Sequence, residues 1–344
     1  MTQNTWYNTA DGNEPAAIST RVRLARNLRD MPFPRLLDVE QRYAVCKKVV
    51  DGFNAAMGDG ASDFDVIDMG KLNGHAAMSL AERRLVSPEF VHAGEGSCLL
   101  LSKDHSISIM INEEDHVRIQ ALASGLQLAE AYRVADSIDN KLNAVLGFAY
   151  DGRLGYLTEC PTNLGTGLRA SVMLHLPAMR ADGSVNRLAE TVSRLGFTVR
   201  GAYGEESEAV GSFYQISNQI TLGISEKSAV DNLNSIVKQI IATEENAREQ
   251  LIARPDIQDK LWRSLGVLRT ARRISGTEAV ELASNLRLGI ERGVFKGEKI
   301  GSDVANRIIS LTGASTIMAQ KGADMTPDER DTARAEIIRE IIGK

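Results

Sequence analysis

Between residues 253 and 256 the periodicity of the chain changes, and no other feature limits its fold as strongly. From Pro255 to Lys344 the apolar pattern is almost wholly helical, with short polar breaks near Gly276, Gly293 to Gly297 and Gly313. Upstream, strand-like and helix-like stretches alternate. The sequence predicts two parts, a mixed domain over residues 1–254 and a helical domain over residues 255–344. In the first part, Thr20-Arg21-Val22-Arg23-Leu24 has the two-residue period of a strand, with Arg21 and Arg23 on one face and Val22 and Leu24 on the other. Pro32 and Pro34 end that pattern. Residues 99–102 and 106–111 predict a strand pair around the turn Lys103-Asp104-His105, and 197–199, 214–218 and 219–222 predict further strands. Helices are predicted over Val39–Met57, 80–85, 117–146, 187–195 (ended by Gly196) and 229–251.

A chain of 344 residues is long for one compact domain and comfortable for two. Its formal net charge of −5 argues against a general nucleic-acid binder. No apolar run approaches the ~20 residues of a membrane helix, and residues 1–10 lack an apolar signal core. Cys46, Cys98 and Cys160 form no CxxC or Cys/His metal spacing. The expectation is a reduced, cytoplasmic protein without a resident metal, a membrane anchor or direct nucleic-acid contact.

Four motifs carry chemistry. Cys160-Pro161-Thr162-Asn163-Leu164-Gly165-Thr166-Gly167-Leu168-Arg169 places a thiol, two glycines and an arginine in one segment. A thiol beside fixed cations is a candidate thiolate, and arginine offers a planar fork of donors suited to phosphate. Asn112-Glu113-Glu114-Asp115-His116 sits at the end of an apolar strand, two residues before Arg118. Arg200-Gly201-Ala202-Tyr203-Gly204-Glu205-Glu206-Ser207-Glu208 mixes glycine, arginine and acids. The fourth is the pair Arg21 and Arg23. Each alone has a bland reading: acids at a helix start, a solvated hairpin loop, an arginine-bearing surface strand. Taken together, Arg21, Arg23, Arg118, Arg169 and Arg200 make a clamp for a polyphosphate. With no Walker loop and no HRD or DFG set, such a clamp implies phosphoryl transfer by positioning and charge neutralisation.

These motifs, in this order, resemble the phosphagen (guanidino) kinase superfamily, and within it the bacterial protein-arginine kinase branch. The branch is indicated by an arginine strand that starts by residue 19, leaving no room for the N-terminal helical domain of the metabolite kinases, by the helical C-terminal domain, and by Arg330-Asp331-Thr332-Ala333-Arg334-Ala335, which matches the branch's RDxxRA phosphoarginine pocket. The resemblance implies an α+β fold: a catalytic domain of mainly antiparallel sheet flanked by helices, followed by the helical domain. It implies Glu114, Glu205 and Cys160 as catalytic residues. It assigns ATP contacts to Ser19, Thr20, Arg21, Val22, Arg23, Arg84, Arg118, Arg169, Ala170, Ser171, Val172, Met173, Arg200, Gly201, Ala202, Tyr203, Gly204 and Glu205, with Mg2+ carried by the nucleotide. Arg84 stands where family members carry a histidine. Arg330, Asp331, Arg334 and Ala335 would bind phosphoarginine as an allosteric ligand. Their helix is announced by the capping box Thr326-Pro327-Asp328-Glu329, and Arg330 and Arg334 share one of its faces. The implied activity is ATP-dependent phosphorylation of protein arginines, marking proteins for Clp-type proteolysis in the bacterial stress response. Implied partners are arginine-bearing protein substrates, a heat-shock repressor, a Clp-type ATPase, a small zinc-binding activator and a second copy in a homodimer.

Overall fold

The computed structural model describes residues 5–7, 14–202 and 209–343. Its strands are β1 (Ala17–Arg26), β2 (Phe64–Asp68), β3 (Cys98–Ser102), β4 (Ile107–Ile111), β5 (Val117–Ser124), β6 (Tyr150–Asp151), β7 (Gly155–Tyr156), β8 (Leu168–His175), β9 (Phe197–Gly201) and β10 (Phe213–Asn218). Its helices are α1 (Val39–Met57), α2 (Gly74–Glu82), α3 (Leu128–Leu146), α4 (Pro177–Ala181), α5 (Ser184–Ser193), α6 (Glu226–Ile252), α7 (Pro255–Thr270), α8 (Gly276–Glu291), α9 (Asp303–Leu311), α10 (Ala314–Lys321) and α11 (Pro327–Gly343). Eight strands form one sheet in the order β2-β3-β4-β5-β1-β8-β10-β9, and every pairing in it is antiparallel. This is the expected α+β architecture. No helix among the described residues is long and apolar enough to cross a membrane.

Strand alternation divides the sheet into two faces. One face, with Val22, Leu24, Ile119, Ala170, Val172 and Ile216, is sealed by the apolar stripes of α1, α3 and α6. The other face is covered over only part of its area. There Met110, Leu122, Met173 and Phe213 share a core with α2 and with residues of α7, α8, α9 and α11. The rest of that face carries arginines instead of apolar side chains and stays open. The helical segment is therefore packed on the sheet as well as on itself. His175 at the end of β8 meets Ser284 Oγ at 2.8 Å, and Arg248 donates to the His175 carbonyl at 2.6 Å and to Glu244 at 2.8 Å. Glu82 at the end of α2 accepts from the backbone N–H groups of Ser315 and Thr316, satisfying donors that the first turn of α10 leaves open. The capping box before α11 forms as read, with the Thr326 N–H on the Glu329 carboxylate at 2.7 Å and the Glu329 N–H on Thr326 Oγ1 at 3.3 Å.

Three sequence expectations differ from the fold. Residues 117–146 are not one helix: 117–124 form central strand β5, Gly125 turns the chain at φ 63°, and α3 begins at Leu128. In β5, Val117, Ile119 and Ala121 alternate with Arg118 and Gln120, so the two-residue period of a strand is present, but its Arg, Gln, Ala and Leu residues are good helix formers and the run leads into α3 soon after Gly125. Residues 219–222 form no strand; Asn218 donates to the Ile220 carbonyl and Thr221 Oγ1 to the Leu164 carbonyl, folding them as a loop under the Cys160 segment. The helix placed at 80–85 lies at Gly74–Glu82. Strands β2 and β8 have no counterpart among the expected strands, and β8 begins inside the segment from Cys160 to Arg169.

Candidate active site

The open half of the sheet forms the floor of a cleft of roughly 760 Å³. Cross-strand register lines up its cations. Arg23 on β1 stands directly opposite Arg169 on β8, Arg118 on β5 is opposite Ala25, and Arg200 on β9 is opposite Gln215 on β10. Like charges directly opposite destabilise a sheet, so such a row persists where something else is gained from it. Among the described residues no carboxylate pairs with Arg21, Arg23, Arg169 or Arg200, and the buried Nε atoms of Arg21 and Arg23 have no hydrogen-bond partner. Burial pushes Arg23 down to about 10, with repulsion from Arg118 adding to it and Glu113 opposing it. Burial also lowers Arg21 well below the ordinary guanidinium range, reinforced by Arg23, Arg84 and Arg118. Arg169 is lowered by burial and then by Arg200, and makes only long bonds of 3.3–3.4 Å to Asn218, Asn163 and Thr162. Desolvated, mutually repelling guanidiniums with unused donors suit a multiply charged anion.

Beside this row the cleft also carries carboxylates. Residues 112–116 form the tight tip of the β4–β5 hairpin, closed by the Asn112 N–H on the His116 carbonyl at 3.1 Å. Asn112 takes a left-handed φ of 59°, which asparagine tolerates, and its side chain donates to the carbonyls of Arg42 and Gly96. The tip holds two carboxylates on Arg118, Glu113 at 2.6 Å and Glu114 at 2.9 Å. Their environments differ. Glu113 is only 4% exposed and also accepts from Ser87 Oγ and the Glu114 N–H. Glu114 is 41% exposed; its Oε2 accepts from Arg118 and from Asn163 Nδ2, and among the described residues no bond reaches its Oε1. Glu114 is thus the tip carboxylate with capacity for a second cationic group. The Cys160 sulfur lies 3.1 Å from Thr162 Oγ1 on the same cleft and acts on the charge of Arg169. Among the described residues no group of three His, Cys, Asp or Glu side chains is arranged to hold a metal ion.

The structure brings Arg23, Arg118, Arg169, Arg200, Glu114 and Cys160 to this cleft. Ser19, Arg21, Arg84, Ser171 and Met173 line a small adjoining cavity with Gln215, to which Arg21 donates at 3.0 Å. Arg84 takes a left-handed φ of 64° and donates to the Ala202 carbonyl at the end of β9. Four side chains assigned to the nucleotide do not face the cleft. Val22, Ala170 and Val172 are sealed in the core on the opposite face, and Thr20 is buried with its hydroxyl on the Gly125 carbonyl. Tyr203, Gly204 and Glu205 lie outside the described residues, as do Glu206 to Glu208. Gly165 and Gly167 do take positive φ, at 108° and 62°, but the close approach is to protein: a Cβ would lie 2.3 Å from the Thr221 carbonyl oxygen or 2.6 Å from that of Ala25. Cleft residues that sequence reasoning did not single out include Arg42, Glu89, His92, Thr198 and Gln215. On α11, Arg334 is buried, giving Nε to the Thr312 carbonyl and Nη1 to the Ile274 carbonyl and Asp331, while Arg330 is half-buried and donates to Met325 and Ala335 is fully buried.

Asp115 and His116, both buried, carry opposed proton linkage. Burial pushes the Asp115 carboxyl up to about 6, against the pull of the Glu159 N–H and Asn27. Burial holds the His116 imidazole down at about 4. Between these values the folded Asp115 keeps a proton that the unfolded chain has released, and the folded His116 lacks one that the unfolded chain holds. The two slopes cancel. Relative to the parent, Asp115→Asn is expected to lose stability as pH falls from about 6 towards 4, and His116→Gln to gain it as pH falls from about 6.5 towards 4, each by up to about 3 kcal/mol. Urea unfolding at about pH 4.5, 5.5 and 7 checks this; profiles parallel to the parent's in both variants would refute it.

The family model described as ATP:guanido phosphotransferase, C-terminal catalytic domain, matches residues 44–247, and that described as the protein-arginine kinase McsB C-terminal domain matches residues 254–344. A protein-arginine kinase of Geobacillus kaustophilus is 43% identical over 337 residues, covering 97% of this chain and 92% of that one. One of Clostridium acetobutylicum is 40% identical over 337 residues, covering 97% and 98%. Among solved structures, the duplicated taurocyamine kinase of Schistosoma mansoni with bound transition-state-analogue components aligns with a TM-score of 0.60 at 27% identity, covering 71% of this chain and 34% of that one. A lombricine kinase aligns with a TM-score of 0.59 at 25% identity, covering 69% and 68%.

Proposed function

The chain belongs to the ATP:guanido phosphotransferase family, and on that premise we propose that it is a protein-arginine kinase, transferring the γ-phosphoryl group of ATP to arginine side chains of proteins. The observation that carries this reading is that one cleft gathers Arg23, Arg169 and Arg200, which have no carboxylate partner among the described residues, with the half-exposed Glu114 and with Cys160. Arg23, Arg118, Arg169 and Arg200 hold the polyphosphate. Mg2+ bound to the nucleotide further neutralises its β- and γ-oxygens. The acceptor guanidinium lies against Glu114 and Cys160. It stays protonated at neutral pH, so attack requires loss of a proton. A guanidino nitrogen forms the N–P bond as the bond from γ-phosphorus to the ADP oxygen breaks. The nitrogen's proton passes to a carboxylate, and ADP leaves with the bonding pair. Glu114 is that carboxylate, with Glu205 as its companion. Cys160 aligns the guanidinium electrostatically.

The same reading divides the chain into a catalytic domain, residues 1–254, and a regulatory domain, residues 255–344. In the latter Asp331 takes the guanidinium end of a phosphoarginine and an arginine of the Arg330–Arg334 pair takes its phosphate. It places the enzyme in the bacterial cytoplasm as a homodimer that marks proteins for Clp-type proteolysis under stress, acts on a heat-shock repressor and responds to a small zinc-binding activator. The deciding experiment is incubation with Mg·ATP and a casein-like protein, with free L-arginine in parallel, followed by mass spectrometry at neutral pH for acid-labile phosphoarginine. Phosphoarginine on the protein is expected. Phosphorylation of free arginine alone, or of hydroxyl side chains alone, would overturn the proposal. Free phosphoarginine is expected to change the parent's rate and not that of Arg330→Ala; an identical response in both would remove the regulatory part.

A further inference from the structure

The two sides of the acceptor site come from distant parts of the chain. Glu114 rides on the tip of the β4–β5 hairpin, and Cys160 on the segment between β7 and β8. On the cleft surface they are joined only loosely, through Asn163, whose Nδ2 is 3.2 Å from Glu114 and whose Oδ1 is 3.4 Å from Arg169 Nε. Beneath the surface the link is shorter and fully buried. Asp115 Oδ1 accepts from the backbone N–H of Glu159, the residue before Cys160, at 2.8 Å, and from Asn27 Nδ2 at 2.6 Å. Asn27 fastens both partners again. Its Nδ2 also donates to the Leu157 carbonyl at 3.0 Å, and its Oδ1 accepts from the His116 N–H at 2.9 Å. The next residue, Leu28, donates its N–H to His116 Nδ1 at 3.1 Å. Asn27 follows directly on β1, the strand that carries Arg23. One buried amide thereby ties hairpin tip, cysteine segment and nucleotide-facing strand to one another.

We propose that Asp115 and Asn27 are positioning residues that set the placement of the Glu114 carboxylate relative to the Cys160 sulfur and hence of the acceptor guanidinium; the inference rests on the kinase reading above. Neither side chain lines the cleft, so neither touches substrate. Asp115 does this through Oδ1 alone, because its Oδ2 has no hydrogen-bond partner among the described residues. An asparagine at 115 keeps the needed acceptor, whereas an alanine removes it and frees the Glu159 N–H and Asn27 together. Charge is thus separable from placement. A displacement of about 1 Å between reacting groups costs about 100-fold in rate, so the effect belongs in kcat and not in ATP binding.

The test uses the full-length protein and its Asp115→Ala, Asp115→Asn and Asn27→Ala variants. Both alanine variants are expected to lose about 100-fold in kcat towards a protein substrate with KM for ATP within about threefold; Asp115→Asn is expected to recover all but about threefold of that loss. An independent readout is alkylation of Cys160 by iodoacetamide without ATP. Cys46 and Cys98 are buried, so the accessible thiol reports on the cysteine segment alone. Its rate is expected to change by about threefold or more in either direction in the alanine variants and to stay at the parent's in Asp115→Asn, because thiolate access and environment govern the rate. Parent-like kcat and labelling in both alanine variants, or a loss in Asp115→Asn equal to that in Asp115→Ala, would overturn the inference. If one alanine variant does not fold, the other decides. Absence of phosphoarginine with the parent itself would sink the kinase reading, and the labelling arm would still report whether the brace exists.

Discussion

Glu114→Gln is expected to lower kcat for protein-arginine phosphorylation by about three orders of magnitude while leaving ATP affinity within about threefold. The substitution keeps the shape of the side chain and removes its ability to take a proton. No described neighbour replaces it. Glu113 is adjacent, but its oxygens are committed to Arg118, Ser87 and the Glu114 N–H, and it is almost fully buried. A group whose lone pairs are already filled is a poor acceptor for an incoming proton. ATP affinity holds because Glu114 forms no ion pair with Arg23, Arg169 or Arg200 among the described residues, a glutamine keeps an acceptor oxygen for Arg118, and Arg118 keeps its 2.6 Å bond to Glu113. Initial rates with a casein-like substrate, set beside ATP titration, measure both quantities. A kcat within about tenfold of the parent's would remove Glu114 from the role of base.

How much of this was legible in the sequence is clearest from the arginines of β1. Arg21, Arg23 and Arg26 lie within six residues and look alike in a linear reading. Strand parity separates them. Arg21 and Arg23 share the open face, whereas Arg26 has the parity of Val22 and Leu24 and goes into the core. That signal was available and the spacing carries it. The two glycines of the Cys160 segment stand out in the sequence, but the reason for them does not, because Thr221 and Ala25 approach from residues far away in the chain. Strand β5 carries the alternation of a strand over residues 117–121, but its Arg, Gln, Ala and Leu residues favour a helix and mask that period. Arg42 and Glu89 reach the cleft from a helix and a short turn of ordinary pattern. Nothing local marks them, since the sheet order that gathers them is a property of the whole chain. The helical segment read as a separate domain also completes the sheet's second core, which periodicity alone does not reveal.

Arg26 leads to the second large effect, expected at Asp139. The Arg26 guanidinium is fully buried. Its Nε and Nη2 each reach Asp139 at 2.9 Å, its Nη2 is 3.0 Å from Glu226, its Nη1 donates to the carbonyls of Ala25 and Thr166, and its Cζ lies 3.5 Å from the centre of the Tyr156 ring. Removing one member of a buried pair leaves the other's charge uncompensated, so Asp139→Ala is expected to lose about 3–5 kcal/mol of stability. Glu226 offsets only part of this, since it is more exposed than Asp139 and bonds one nitrogen. Replacing both partners, Arg26→Met with Asp139→Leu, removes the desolvation cost on both sides and is expected to recover most of that loss. Recovery of stability is not recovery of function. Arg26 Nη1 also holds the Thr166 carbonyl, in the segment that runs from Cys160 to the start of β8. The double variant should therefore unfold near the parent's urea midpoint and still phosphorylate more slowly. A loss below about 1 kcal/mol in Asp139→Ala would show that the pair is not needed to hold Arg26 in the core. A double variant with the parent's kcat would show that the Cys160 segment is held from above, by Asp115 and Asn27, and needs no support from below.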